Sequence, residues 1–217
     1  MNINKHLILL FSVLFFLFAV SVSSGCFRKN ESDVKSVVRN ELDQLKNLDS
    51  ETTQKYIPYT ELFPDATENT DLTDEINETF SLFFRKFNYK ISDVIVGTTN
   101  HSATVSVKLT TIDSKVLSRD FKAELLRTQI TESAQAQKGN IKDSSRSLEA
   151  HYLILNHLLN TNDYDTAETD CNIQLVNTGN DKKEKWKIQR TNSLEDDLVG
   201  GLIADLADPD ILSPEDT

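Results

Sequence analysis

ATVSVKLTTI, residues 103–112, decides the fold, because apolar and polar side chains alternate along it. One face of this strand carries Ala103, Val105, Val107 and Leu109, and the other carries Thr104, Ser106, Lys108 and Thr110. Such alternation is typical of an antiparallel sheet that packs against a core with one face and meets solvent with the other. NYKISDVIVG (88–97) and the turn-like TTNHS (98–102) precede it, which predicts a β-hairpin.

A second hairpin is predicted from TAETDCNIQLVN (166–177) and EKWKIQR (184–190), joined by the polar TGNDKK (178–183). The alternation places Cys171 and Trp186 among the inward-facing side chains, and we expect Trp186 to be largely buried. The four predicted strands are antiparallel and lie near 89–96, 103–112, 167–177 and 184–190.

Helical spacing of apolar residues accounts for the rest of the chain. A helix is predicted from residue 33, a second carries a phenylalanine stripe, a helical hairpin over 115–161 lies between the strand pairs, and NSLEDDLVGGLIADLA (192–207) forms the last helix. The stripe consists of Leu72, Ile76, Phe80, Phe83, Phe84 and Phe87. The predicted fold class is therefore α+β: N-terminal helices packed on a four-stranded antiparallel sheet made of two hairpins, with an inserted helical hairpin and a C-terminal helix.

Two glycines and one long apolar stripe lead to further predictions about these helices. Gly200 and Gly201 should weaken the last helix or let it approach a neighbour closely, since neither has a Cβ atom. The first helix of the hairpin is marked by an apolar stripe of Leu117, Phe121, Leu125, Leu126 and Ile130.

The first 25 residues are typical of a secretory signal peptide. Lys5 precedes the apolar run Leu7–Val20, in which Ser12 is the only polar residue, and small residues follow it. The run is shorter than the about 20 apolar residues that span a bilayer. Two cleavages remain open: ordinary secretory cleavage, which would release a soluble secreted protein, or cleavage at Cys26 after lipidation.

Lipidation of Cys26 is the favoured alternative. Ser24, Gly25 and Cys26 resemble the bacterial lipobox, in which the cysteine sulfur receives a diacylglyceryl group and becomes the new N-terminus. We therefore predict a signal peptide (1–25), a lipidated tether (26–32), an α+β domain (33–206) and a frayed acidic tail (207–217). The membrane is then a partner through the lipid on Cys26.

The composition of the chain restricts which other partners it could bind. Without residues 1–25 the chain keeps 22 Lys and Arg against 34 Asp and Glu, because only Lys5 is lost, and its net charge is −12. Such acidity argues against binding of nucleic acid and against adhesion to anionic lipid through the protein surface.

Few residues invite a catalytic or metal-binding interpretation. His151 and His157 share a helix at a spacing that turns them away from each other, and His101 falls in a predicted turn. The acidic stretch NTNDYDTAETD (160–170) lacks the glycine and the closing glutamate of a calcium loop and is interpreted as a charged turn. The acids from Glu195 to Asp216 are expected to form a solvated face and tail. No metal and no cofactor are predicted.

Three strand residues remain as acid or base candidates for an enzyme: Asp93, Asp170 and Tyr89. By alternation, Asp93 shares a face with Tyr89, Ile91 and Ile95, which would turn its carboxylate inward; a strand register shifted by one residue or an exposed edge is the competing interpretation. Cys171 is expected to be a small buried side chain if Cys26 is acylated, or its disulfide partner if Cys26 is free.

A family resemblance rests on EKWKIQ (184–189), DDLVGGL (196–202) and the lipobox-like cysteine. These features resemble uncharacterised surface lipoproteins of Gram-positive bacteria, which are often assigned to the cystatin-like α+β group with its nuclear-transport-factor-2-like cone folds. The matching residues are Trp186, Lys187, Ile188, Leu198, Gly200, Gly201 and Leu202. The resemblance implies a curved antiparallel sheet around N-terminal helices and an address on the cell surface, with no agreed activity.

Two functions of different classes follow. The first is a non-catalytic envelope lipoprotein that faces the outside of the cell and binds an envelope protein, a cell-wall component or a small ligand. The second is a cone-fold enzyme with an acid or base in the concave pocket of its sheet.

Overall fold

The computed structural model describes residues 30–56, 62–63, 72–99, 101–136, 147–179 and 185–208. Seven helices and four strands lie within these residues. In chain order they are α1 (30–46), α2 (Ser50–Tyr56), α3 (Thr73–Phe84), β1 (Asn88–Val96), β2 (Ser102–Ile112), α4 (Ser114–Ala136), α5 (Leu148–Thr161), β3 (Thr166–Asn177), β4 (Trp186–Ile188), α6 (Asn192–Leu198) and α7 (Leu202–Ala207). The predicted signal peptide, Cys26 and most of the predicted acidic tail lie outside the described residues.

The four strands form one antiparallel sheet in the order β1-β2-β3-β4, which confirms the predicted α+β class. In the register of the second hairpin, Leu175 lies opposite Ile188 and Asn177 lies opposite Trp186. The strand β4 is shorter than predicted. Trp186 is buried, at 7% exposure, as the alternation predicted.

The alternation in β2 matches the burial of its side chains. Ala103, Val105, Val107 and Leu109 are all buried, whereas Lys108 between them is exposed. In β3 the buried positions are Cys171, Ile173 and Leu175. The sheet therefore buries one face and leaves the other to polar side chains, as is usual for antiparallel sheets.

The described residues divide into two compact units, and the strands β1, β2 and β3 each contribute to both. Unit 1 comprises 30–39, 93–105 and 173–189, and unit 2 comprises 40–92, 106–172 and 190–208, in each case without the undescribed residues. In unit 1 the ends of the two hairpins are joined, because the Asn177 N–H donates to the His101 carbonyl at 2.9 Å.

The phenylalanine stripe forms part of the core of unit 2. Phe80, Phe83, Phe84 and Phe87 are all buried. The rings of Phe83 and Phe84 lie 5.4 Å apart and those of Phe84 and Phe87 5.3 Å apart, both edge to face. Aromatic pairs favour this geometry, which places the positive edge of one ring on the negative face of the other. Helices α3 and α5 pack together, and Tyr152 of α5 also contacts Phe80.

Helix α4 buries only the first part of its apolar stripe. Leu117 and Phe121 are buried near its beginning, whereas Leu126 is 48% and Ile130 is 61% exposed. The apolar spacing therefore predicted the helix, but the burial ends about halfway along it.

The expected last helix is divided in two by Gly200 and Gly201, whose φ angles are 66° and 90°. These are left-handed conformations in which a Cβ atom is strained. They end α6 because the Gly201 N–H turns back to the Asp196 carbonyl at 2.8 Å. A Cβ atom on Gly200 would lie 2.2 Å from the Thr111 hydroxyl oxygen, so the close approach anticipated from the sequence occurs here.

Replacement of Gly200 by alanine is expected to destabilise the protein more than the same change at Gly201. Both variants force alanine into a left-handed backbone, which costs about 1–2 kcal/mol, but only Gly200→Ala also collides with Thr111. Chemical denaturation of both variants measures the difference. The double variant Gly200→Ala/Thr111→Ala should recover part of it, because the colliding hydroxyl is removed. Equal losses at Gly200 and Gly201 would contradict the close approach.

Candidate functional site

Asp93, the leading acid or base candidate, does not point inward. Its side chain is exposed, and its carboxylate accepts a hydrogen bond from the Val94 N–H at 2.9 Å. The alternation along β1 shifts by one residue here, since Ser92 and Asp93 are both exposed and Ile95 is 60% exposed. The expectation that Asp93 shares the face of Tyr89 and Ile91 is therefore wrong, and the competing interpretation of a shifted register on an edge strand is correct.

Tyr89 is half-buried at the other end of β1 and connects the strand to α1. Its hydroxyl donates to the Asp43 carboxylate at 2.6 Å, and its ring lies 6.5 Å from that of Phe87. The Tyr89 hydroxyl therefore connects a helix to the sheet, and we interpret this hydrogen bond as a structural contact.

Asp170 lies on the polar face of the sheet beside Lys108. The Lys108 ammonium is 3.2 Å from Glu168 and 3.9 Å from Asp170, and all three side chains are exposed. The hydrogen bond that the Lys108 ammonium donates to the Glu168 carboxylate contributes most to raising the pKa of Lys108 above its usual value. Exposed ion pairs of this kind contribute little to stability, so these side chains form a solvated cross-strand network.

The two histidines of α5 point to different surroundings, as their spacing predicted. His151 packs on aromatic rings, 4.9 Å from Phe63 and 5.7 Å from Phe121, and its Nδ1 lies 2.8 Å from the Ser147 carbonyl oxygen. His157 is exposed. Among the described residues, no group of three or more His, Cys, Asp or Glu side chains is arranged to hold a metal ion.

A lysine, Lys86, binds the acidic stretch that follows α5. The Lys86 ammonium donates to the Asp163 carboxylate and to the Tyr164 carbonyl, both at 2.6 Å. The hydrogen bond and the charge of Lys86 lower the pKa of Asp163. Tyr164 is buried and donates to Asp120 at 3.1 Å, and burial raises its pKa to about 12. A charge-paired turn therefore accounts for residues 162–165, whereas the ends of the acidic segment belong to α5 and β3.

The acids of the C-terminal helices differ from the expected solvated face. Glu195 is only 4% exposed and forms an ion pair with Arg190. Asp196 accepts a hydrogen bond from the Ala204 N–H at 3.1 Å, which satisfies a free donor in the first turn of α7. The Asp205 carboxylate lies 2.6 Å from the buried Ser114 hydroxyl. These carboxylates hold α6 and α7 in place.

Cys171 is a buried free thiol, 2% exposed, that hydrogen-bonds to Asp197. Burial raises the pKa of the thiol above its usual value, and the charge of Asp197 raises it further. Burial also raises the pKa of Asp197. A reactive cysteine needs positive neighbours that stabilise the thiolate. Here burial and the negative charge of Asp197 destabilise the thiolate instead. Cys171 is the small buried side chain that the sequence predicted.

The structural contacts at Asp43, Glu195 and Asp197 have no sequence signal. Their partners are Tyr89, Arg190 and Cys171, and none of these pairs follows a motif or a helical spacing that would have identified it.

Comparisons with known proteins leave the family open, because no family model, curated protein or solved structure matches the chain. The resemblance to Gram-positive surface lipoproteins therefore stays a prediction. In the described part of the chain, every helix is too short or too polar to cross a bilayer.

Cys171 is expected to react very slowly with a maleimide in the native protein and fully after denaturation. Replacing Asp197 by asparagine should accelerate the native reaction, because it removes the negative charge that disfavours the thiolate. Asp196→Asn is the matched control, since Asp196 bonds a backbone N–H instead of the thiol. The rates are measured in a Cys26→Ser background, and rapid labelling of the native parent would contradict the assignment.

Proposed function

We propose that this chain is a lipid-anchored cell-envelope lipoprotein whose domain faces the outside of the cell and binds another envelope component without catalysing a reaction. The observation that carries the proposal is the N-terminal sequence, in which the apolar run Leu7–Val20 leads into Ser24, Gly25 and Cys26. Two acyl chains on one cysteine hold a protein on a membrane, whereas a single chain is marginal.

The position of the folded domain supports a short tether. Residues 30–46 are helical, and Asn30 and Val34 are buried. The first residue that the structure describes, Asn30, is already helical, although it falls inside the predicted tether of 26–32. A lipid on Cys26 would therefore confine the domain to the membrane surface, which raises its effective concentration toward anything else held there.

The surroundings of the candidate reactive groups support binding over turnover. Catalysis needs an acid, base or nucleophile within hydrogen-bond reach of a substrate, with its pKa suited to proton transfer. Asp93 lies on an exposed edge strand, Tyr89 is bonded to a helix, and the surroundings of Cys171 disfavour its thiolate. We therefore assign none of them a chemical role.

The charge of unit 2 indicates the kind of partner. Its described residues carry 21 Asp and Glu against 11 Lys and Arg. An acidic surface of this size attracts basic proteins and cationic cell-wall groups and speeds their encounter. Because Glu195, Asp196 and Asp205 have internal partners, exposed acids elsewhere, such as Glu78 and Asp165, are the better probes of binding.

Lipidation is tested by mass spectrometry of the protein from the membrane fraction. We expect an N-terminal peptide that begins at Cys26 and carries a diacylglyceryl group. The Cys26→Ala variant should be released into the medium or remain unprocessed, because it has no sulfur to acylate. An unmodified wild-type protein recovered from the medium would contradict the proposal and favour ordinary secretory cleavage.

Binding is tested by cross-linking in intact cells. We expect a membrane or cell-wall partner whose capture falls several-fold in a Glu78→Lys/Asp165→Lys variant, because the attraction of the acidic surface is reduced. An Asp93→Lys variant is the control for a charge reversal in unit 1. Turnover of a small molecule that is lost on Asp93→Asn, in a folded protein, would overturn the proposal in favour of the enzyme.

A further inference from the structure

We infer that Asp93 protects the open edge of the sheet at β1, and that a second copy of this chain would otherwise dock on this edge by strand pairing. The Asp93 carboxylate protects the edge by occupying the Val94 N–H, a main-chain donor that an incoming strand would need. This role depends neither on the proposed lipidation nor on the proposed envelope partner.

The strand β1 lies at one edge of the sheet and is long enough to pair with another strand. In the order β1-β2-β3-β4, each edge strand has one neighbour, so one side of its main chain has no strand partner within the described part of the chain. The other edge strand, β4, has three residues, whereas β1 has nine. Natural sheets limit association by keeping their edge strands short, and β1 lacks that protection.

The hydrogen bonds to β2 show which main-chain groups of β1 face the open side. The Gly97 N–H donates to the Ser102 carbonyl at 2.8 Å, so these two residues form a hydrogen-bonded pair. Bonded and non-bonded pairs alternate along an antiparallel ladder, so Val96 and Val94 direct their N–H and carbonyl groups away from β2. The Asp93 carboxylate accepts the outward Val94 N–H at 2.9 Å.

A carboxylate in this position opposes strand pairing in two ways. An incoming strand would have to take the Val94 N–H from a charged acceptor, and hydrogen bonds to charged acceptors are stronger than those to a carbonyl oxygen. The strand would also bring its own carbonyl oxygen toward the negative charge of Asp93, and the charge would lose water in the process. Natural edge strands use charged side chains to avoid such pairing.

The shift in the alternation of β1 occurs at the same place. Ser92 and Asp93 are consecutive exposed residues, whereas Ile91 before them and Val94 after them are half-buried. Two consecutive exposed residues in an otherwise alternating strand are typical of a β-bulge, which bends the strand and interrupts its pairing. The irregularity that made the predicted orientation of Asp93 wrong therefore also places its carboxylate at the edge.

The sequence around Asp93 shows what the carboxylate protects. Between Lys90 and Lys108, Asp93 is the only Asp, Glu, Lys or Arg. Residues 94–96, which follow it, are all β-branched, and Ile95 is 60% exposed. Uncharged β-branched segments pair readily with other chains, and a charged residue beside such a segment suppresses this pairing.

A second copy of this chain is the partner that the edge fits. Its β1 offers the same nine residues with the same outward main-chain groups. Two such edges related by a two-fold axis would pair antiparallel, so each copy would supply both the docking strand and the docked strand. Loss of the protection would therefore be measurable as self-association of the purified chain.

The inference is tested by sedimentation of the full chain with Cys26→Ser, in a mild detergent that keeps the apolar run Leu7–Val20 soluble in every variant. At about 0.15 M salt, which limits repulsion between exposed charges, we expect this parent chain to be monomeric and its Asp93→Val variant to associate. The concentration at which half of the chains are associated should be at least about tenfold lower for Asp93→Val, because the released N–H is then available to a second strand.

Matched variants separate the edge from other causes of association. Asp165→Ala removes the charge of another exposed acid, outside the strands, and should remain monomeric. Asp93→Asn removes the charge but keeps an oxygen that can accept the Val94 N–H, so it should associate less than Asp93→Val. Circular dichroism and thermal unfolding check that each variant is folded.

A second substitution locates the association on the molecule. Asp93→Val/Ile95→Lys should return to the monomer, because a lysine on an edge strand opposes pairing. Asp93→Val/Leu126→Lys places the same charge on the exposed apolar part of α4 and should remain associated.

Each contrary outcome overturns the inference. An Asp93→Val variant that is as monomeric as the parent, or a parent that associates as strongly as the variant, would show that Asp93 does not keep the edge free. Equal association of Asp165→Ala would show that the loss of any acid suffices, and equal rescue by Leu126→Lys would place the association on α4. Equal association of Asp93→Asn and Asp93→Val would refute the role of the hydrogen bond to Val94.

Discussion

The burial of one face of the sheet is the constraint on which the rest of the structure depends. Val105, Val107 and Leu109 in β2 are almost completely buried, and Ile173 and Leu175 in β3 are too. Successive side chains of a strand point to opposite faces of the sheet, so a shift of the register by one residue would move all of these apolar side chains from the core to the solvent face. The two hairpins are therefore held in one register, and the helices between and after them supply apolar surface to cover it.

Residues of the sheet and the core could be predicted from the sequence because their burial follows a period. The alternation of β2 and the stripe from Ile76 to Phe87 repeat over many residues, and each repeat adds to the signal. Asp93 shows where a prediction from the alternation along a strand fails. The alternation of β1 shifts by one residue after Ile91, and nothing in the residue types marks this shift. A face assigned by counting along an edge strand is therefore reliable only up to the first such shift.

The partners of polar groups could not be predicted, because they depend on which distant segments meet. Glu195 and Asp197 look alike in the sequence, yet one is ion-paired with Arg190 and the other accepts a hydrogen bond from Cys171. The sequence likewise indicated that Gly200 is special, but its neighbour Thr111 lies in another element, and the tight contact with it exists only in the fold. Composition shows that the chain is acidic without showing which acids are available to a partner.

The distribution of charge connects the fold to the proposed function. A lipid-anchored acidic domain is repelled by the anionic membrane that holds it, and the repulsion acts most strongly on whatever part lies nearest the tether. The units defined by the fold differ in this respect, since the described residues of unit 2 carry almost twice as many acids as basic residues and those of unit 1 do not. The acids that predominate among the described residues of unit 2 are therefore the groups to which the proposed basic partner would be attracted.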